Sequence, residues 1–393
     1  MTDTDNKDGD SHILTSEPTV HKAFHISRLE GIVALVLFIF FLLSLFVFQN
    51  VLILIIGTMA IAVWLTFRAS HLAIDGLESV GAIAGLSAYF IGVLSSLASN
   101  TPEAVVSAFT AWSGYTQGNP ELVEIAVLSV VMAAGFNILL LGIVVVFSTR
   151  KTGVVKVPRE VVEDDADLIS WTIVVMALLF SFAILFYIDH LIHGVVPGLV
   201  FLPSALALLM VLSYVLYAIY AVKKPHTMDK ARPKARHTKR MSAIVAIIGF
   251  IGIFIAGYLL ASAVELTFEF IPWSGLGIIE PQRIAIMALI IGAVGALPEH
   301  GIALIAAGKG KADIAIGNTL GGTTQVLLLI VGGVAMFLPL PLDVAVLLQF
   351  ATAAGSLWFL KRALTDDQKV DIYEGAMIIL MQMFVFILVL IPI

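Results

Sequence analysis

Between Glu30 and Arg68 the chain carries no charged side chain. A membrane-crossing helix needs about 20 apolar residues, so this stretch is too long for one crossing. Its only polar break, Gln49-Asn50, predicts a tight hairpin of two helices. Comparable apolar runs recur along the 393 residues, and hydropathy predicts eleven helices, at 28–49, 51–68, 82–113, 121–148, 168–189, 196–222, 241–268, 283–308, 312–338, 340–362 and 371–392. The runs are apolar throughout and do not alternate with period two, which excludes a β-barrel. With 60% hydrophobic and 13% charged residues the chain has too little polar surface for a soluble enzyme or a nucleic-acid binder; globular chains carry roughly 25% charge. It has no cysteine, hence no disulfide and no thiolate site.

Loop charge tests the helix count. If the amino terminus is cytoplasmic, every Lys and Arg except Arg283 falls in the tail or in loops after even-numbered helices, the partition the positive-inside rule demands. Residues 1–27 are polar and read as a disordered cytoplasmic tail, and 28–50 as an extra first helix. Residues 223–240 (KKPHTMDKARPKARHTKR) form a basic cytoplasmic loop. The carboxy terminus falls outside.

Two segments resemble each other across that loop: SLASNTPEAVVSAFTA (Ser96 to Ala111) and AVGALPEHGIALIAAG (Ala293 to Gly308). Each places Pro-Glu deep in an apolar helix, at Pro102-Glu103 and Pro298-Glu299. Each is followed by an apolar helix with an embedded amide, Asn137 in FNILLLG and Gln325 in GGTTQVLLLI. Helices 2–6 (51–222) and 7–11 (241–393) then form two five-helix halves. Because five is odd, the halves enter the membrane in opposite senses, the inverted-repeat plan of secondary transporters. The expected fold class is therefore an all-α integral membrane protein with one extra amino-terminal helix and two inverted five-helix repeats.

A carboxylate near the bilayer centre is costly, and no Lys or Arg lies at that depth to neutralise these two. A cation that comes and goes is the economical partner. Ca²⁺ takes oxygen ligands, carboxylates and carbonyls among them, and a helical proline frees a carbonyl one turn earlier, here around Ala98–Ser99 and Val294–Gly295. Emptied of metal, the two carboxylates would need protons instead, so the two ions would compete for the same oxygens. Asp75, Glu78 and Glu265 read as interfacial anchors, with an ion vestibule as the alternative, Glu121 and Glu124 as acids at a helix start, and Asp313 as a helix cap. Asp189, His190 and His193 read as an interfacial cluster. No HExxH, nucleophile–base pair or cofactor loop is present, so a secondary active antiporter is expected and not an intramembrane enzyme, with no cofactor besides the transported ion.

The two motifs resemble the α-repeats of the cation/Ca²⁺ exchanger superfamily over helices 2–11. PEHGIALIAAGKGKADIAIGNTLGGTTQ is similar to the Ca²⁺/H⁺ antiporter branch, as is Asn100. Pro102 and the run Phe136 to Leu140 look like the Na⁺/Ca²⁺ exchanger branch. The resemblance implies that Glu103 and Glu299 are the central Ca²⁺ ligands, Asn137 and Gln325 amides facing the same site, and Asn100, Thr101 and Ser107 secondary oxygen donors. Na⁺ exchangers of the family carry hydroxyls where this chain has Gly295, Ala296 and Ala303, and His300 adds a group that titrates near neutral pH. The expectation is an antiporter of a prokaryotic cell membrane exchanging Ca²⁺ for H⁺ through Glu103, Glu299 and His300, with Na⁺/Ca²⁺ exchange as the alternative. Its partners are these ions and the lipid bilayer, not nucleic acid.

Overall fold

Asn50 ends the first hairpin chemically. Its side-chain oxygen accepts from the backbone N–H groups of Leu52 and Ile53 at 3.0 and 3.2 Å, capping the second helix, while Gln49 takes a positive φ of 45° to turn the chain. The computed structural model describes residues 27–86, 88–150, 153–156, 159–193, 200–223, 235–308, 310 and 312–391. The tail (except Ser27) and most of the basic loop lie outside the described residues. The helices are α1 (Arg28–Phe46), α2 (Val51–Ile83), α3 (Ala88–Gln117), α4 (Pro120–Thr149), α5 (Arg159–Ile192), α6 (Ser204–Lys223), α7 (Lys239–Phe270), α8 (Glu280–Gly308), α9 (Ala312–Gln325), α10 (Val331–Phe337), α11 (Val344–Asp367) and α12 (Ile372–Leu390). A π-helical turn, Val326–Ile330, joins α9 and α10 into one rod, so a helix lies within each of the eleven expected spans. Among the described residues eight helices are long and apolar enough to cross a bilayer on their own, and α6 contributes a shorter apolar one. The other two, α3 and α11, are more polar, and the polar residues of α3 include those of the candidate site.

Several boundaries differ from hydropathy. The second helix does not stop at 68 but runs 33 residues to Ile83, about 50 Å at 1.5 Å per residue. Hydropathy measures what lipid tolerates, whereas this helix continues past Arg68 because its small residues Ala69, Ala73 and Gly76 pack on α7. Residues 340–343, expected to begin the tenth helix, are not helical, and Phe201 forms a β-bridge with Pro341. Two short strands were not foreseen: β1 (Val154–Lys156) pairs antiparallel with β2 (Lys369–Asp371). Asp371 and Glu374 then form a reciprocal capping box that starts α12. Both motif helices continue through Pro102 and Pro298 without a break. Asp313, expected as a cap, falls in the first turn of α9, and its side chain lies outside the described residues.

The pairings at the two ends of the bundle agree with the eleven-span path. On the face where α1 begins, Arg236 bridges Asp75 and Glu78, Lys361 donates to Ser170 Oγ at 2.7 Å, and β1 meets β2. On the opposite face Arg283 pairs with Glu121 at 2.7 Å, Ser113 donates to Glu265 at 2.6 Å, and Gln282 Nε2 donates to the Leu390 carbonyl at 3.1 Å. No described pairing joins ends that the charge partition assigns to different faces.

Two packing features position the site. First, α4 is buried on nearly all sides and serves as the axis of the bundle, as expected of a helix apolar all round. A Cβ built on Gly292 would lie 2.8 Å from the Ser129 carbonyl, so α8 meets α4 backbone to backbone. Second, α2 and α7 approach along small residues: a Cβ on Gly249 would lie 2.7 Å from Ala73 Cα, and one on Gly252 2.7 Å from Ala69 Cβ. Gly249→Ala is accordingly expected to lose about 1–3 kcal/mol of stability through overpacking, read as a lower thermal midpoint of the purified protein.

Candidate functional site

On a helix, positions i, i+4 and i+7 share a face. In α3 those positions from Ser96 are Asn100 and Glu103, and all three are buried. This polar face turns inward because lipid cannot satisfy it, and it meets α8 and α9. Glu103 is 3% exposed and Glu299 is 0% exposed.

The side chains line a ring of four helices in two separate hydrogen-bonded groups. From α9 Gln325 Oε1 accepts from Ser96 Oγ at 2.7 Å and from Asn100 Nδ2 at 3.0 Å. Asn137 on α4 donates through Nδ2 to Glu299 Oε2 on α8 at 2.9 Å. Two glycines let the carboxyl-bearing chains fit. Glu103 lies against Gly295 of α8, where an added Cβ would stand 2.8 Å from Glu103 Cγ, and Glu299 lies against Gly322 of α9, where an added Cβ would collide with the carboxyl group. The π-helical turn starts directly after Gln325, a distortion of the kind frequently found at functional sites.

The hydrogen-bond inventory shows what the ring lacks. Asn100 Oδ1, Glu103 Oε1, Glu103 Oε2, Asn137 Oδ1 and Glu299 Oε1 are buried without a hydrogen-bond partner. Leaving one such group unmade costs about 1–3 kcal/mol, more if it is charged. Five acceptor oxygens with no donor directed at them call for a bound cation or protons, not for an anion. They lack three or two of the 6–8 ligands Ca²⁺ takes, or even one, numbers that backbone carbonyls or water complete.

The structure thus brings Asn100, Glu103, Asn137, Glu299 and Gln325 together as expected. Thr101 and Ser107 stand differently: Thr101 Oγ1 donates to the Leu97 carbonyl of its own helix at 2.7 Å, and Ser107 Oγ donates to Ala126 of α4 at 2.7 Å. His300 is half-buried, and its Nε2 has no partner. Ser96, Gly295 and Gly322 were not singled out as site residues. The spacing of Ser96 from Asn100 and Glu103 was the available signal; nothing local marks the glycines.

Other candidates separate from the site. Glu265 accepts from Ser113 and Gln117 and lines an outer cavity of about 320 Å³ with Asn119, Glu269 and Arg283. Arg283 also lies over the Phe268 ring at 3.9 Å. Asn119 caps α4, next to Glu121. Asp189 and His193 are exposed and 3.4 Å apart, and His190 bonds the Phe186 carbonyl. Among the described residues no group of three or more His, Cys, Asp or Glu could hold a metal.

A helical membrane bundle with paired buried carboxylates and unpartnered amide oxygens at its centre defines an ion carrier. The sodium/calcium exchanger protein family model matches residues 51–223 and 241–391, so the chain belongs to that family. It is a transporter of the cation/Ca²⁺ exchanger superfamily, embedded in the membrane. No curated protein sequence matches it significantly. Solved structures of membrane exchangers share the fold. The H⁺/Ca²⁺ exchanger CAX superposes with a TM-score of 0.67 at 14% identity, covering 92% of this chain and 91% of the other. YfkE gives 0.62 at 18% identity over 92% and 98%. The sodium-calcium exchanger NCX_Mj gives 0.56 at 17% identity over 84% and 97%.

Proposed function

We propose that this protein exchanges Ca²⁺ for H⁺ across the membrane by alternating access, the two ions competing for Glu103 and Glu299. The observation that carries this reading is the set of five buried, unpartnered oxygens on α3, α4 and α8. With Ca²⁺ bound both glutamates are ionised; with Ca²⁺ gone, protons take over the same oxygens. Exchange of two protons at these carboxyls for one Ca²⁺ is electroneutral. A third proton through His300 would make transport electrogenic, at about 2.3 kcal/mol per charge per 100 mV.

Protons are favoured over Na⁺ by the second repeat. Na⁺ needs oxygens beside the Ca²⁺ site, and Gly295, Ala296 and Ala303 carry none. At Gly295 the space is taken, since a Cβ there would already press on Glu103. Na⁺/Ca²⁺ exchange is the second reading, supported by Thr101 and Ser107 in the first repeat and by the likeness to NCX_Mj.

Proteoliposomes separate the two. An outward-directed proton gradient is expected to drive ⁴⁵Ca²⁺ uptake without Na⁺, and collapsing that gradient with a protonophore and K⁺-ionophore mixture should stop it. A strict Na⁺ requirement would reverse the order of the two readings.

A further inference from the structure

The amides around the site are not oriented alike. Asn137 and Asn100 each spend the NH₂ group on a protein acceptor, Glu299 Oε2 at 2.9 Å and Gln325 Oε1 at 3.0 Å, and each leaves its oxygen unpartnered. Gln325 is reversed. Its oxygen accepts twice, from Ser96 Oγ and Asn100 Nδ2, and its Nε2 has no partner. A carbonyl oxygen has two lone pairs and an amide NH₂ offers none to a metal, so Gln325 in this arrangement has nothing left to give a cation.

The Asn100–Gln325 contact could also form the other way round, with the glutamine NH₂ donating to the asparagine oxygen. Asn100 Oδ1 would then be consumed. Ser96 favours the first arrangement. Its hydroxyl lies 2.7 Å from the Gln325 atom, the usual length of an O–H···O bond and the short end of the N–H···O range. Asn100 Nδ2 lies 3.4 Å from the same hydroxyl, which can accept from it while donating to Gln325. In this triangle the Ser96 hydroxyl and the Asn100 NH₂ each face an acceptor, while Gln325 Nε2 points outside it without a partner. All three residues are at most 5% exposed, so water does not compete.

We propose that Ser96 and Gln325 are positioning residues that hold Asn100 with its carbonyl oxygen turned into the cation site, and that Gln325 is not itself a side-chain ligand. This rests on the proposed Ca²⁺ site and makes Asn100, one turn before Glu103, the amide ligand of the first repeat's motif helix, as Asn137 is on the helix that follows it.

Calorimetric Ca²⁺ titration of the purified full-length protein tests it. Ser96→Ala is expected to weaken Ca²⁺ binding about five- to tenfold, the worth of one buried hydrogen bond, and Gln325→Met by a similar factor. In an Asn100→Ala background neither change should weaken binding further, because both act through the oxygen already removed. A role in folding alone would give losses independent of Asn100. Unchanged affinity in Ser96→Ala, or losses that multiply with Asn100→Ala, would overturn the positioning role. If Ser96→Ala does not fold, the Gln325→Met and Asn100→Ala cycle carries the same test. Failure of the wild-type protein to bind Ca²⁺ would overturn the proposed function, and the positioning role with it; normal wild-type binding with an unaltered Ser96→Ala protein removes the positioning role alone.

Discussion

Glu299→Gln and Glu103→Gln proteins are expected to insert and fold normally yet to carry Ca²⁺ at less than about a hundredth of the wild-type rate, because each loses an anionic partner of the bound cation. The substitution is nearly isosteric, so packing survives. In Glu299→Gln the new amide oxygen can keep the hydrogen bond from Asn137 Nδ2, which places the new NH₂ where the free Oε1 now stands. A donor then faces the ion in place of an anionic acceptor. Glu103 has neither oxygen engaged, so in Glu103→Gln the NH₂ must also enter the site. The measurement is ⁴⁵Ca²⁺ flux in proteoliposomes beside thermal midpoint and elution profile. Near-normal flux from either protein would remove the site assignment.

The second large effect is expected at a residue with no chemistry of its own. A Cβ at Gly322 would collide with Glu299, so Gly322→Ala should push the carboxyl off its Asn137 bond and lower Ca²⁺ affinity about a hundredfold, the loss that a misplacement near 1 Å can cause. Gly321 is the control. A Cβ there meets nothing within 4 Å, so Gly321→Ala should bind Ca²⁺ as the wild type does and melt at or slightly above the wild-type temperature, since helical alanine is favoured over glycine. Equal behaviour of the two variants would show that Glu299 does not rest on this face of α9.

Much of this was legible because a bilayer restricts what a chain can do. Backbone polar groups in lipid must be satisfied within a helix, so long uncharged runs located the spans, and the one-sided distribution of Lys and Arg fitted a path that the end pairings of α1 through α12 then followed. The same physics exposed the site: Pro-Glu twice, with Asn137 and Gln325 downstream, is too costly in lipid to be incidental. Helix ends were less legible. The extension of α2 past Arg68 depends on small residues packing on α7, which hydropathy does not register, and β1 finds its partner only when β2, more than 200 residues later in the sequence, is brought beside it.

By itself the sequence determined the class of molecule, the apolar runs that become helices and the acidic pair, since each follows from the cost of placing single residues in lipid. Tertiary structure alone decided which oxygens are free. Orientation of an amide depends on what stands across from it, so the engagement of Gln325, the exposure of Asn100 Oδ1 to the site and the glycine seats under Glu103 and Glu299 exist only once α3, α4, α8 and α9 meet.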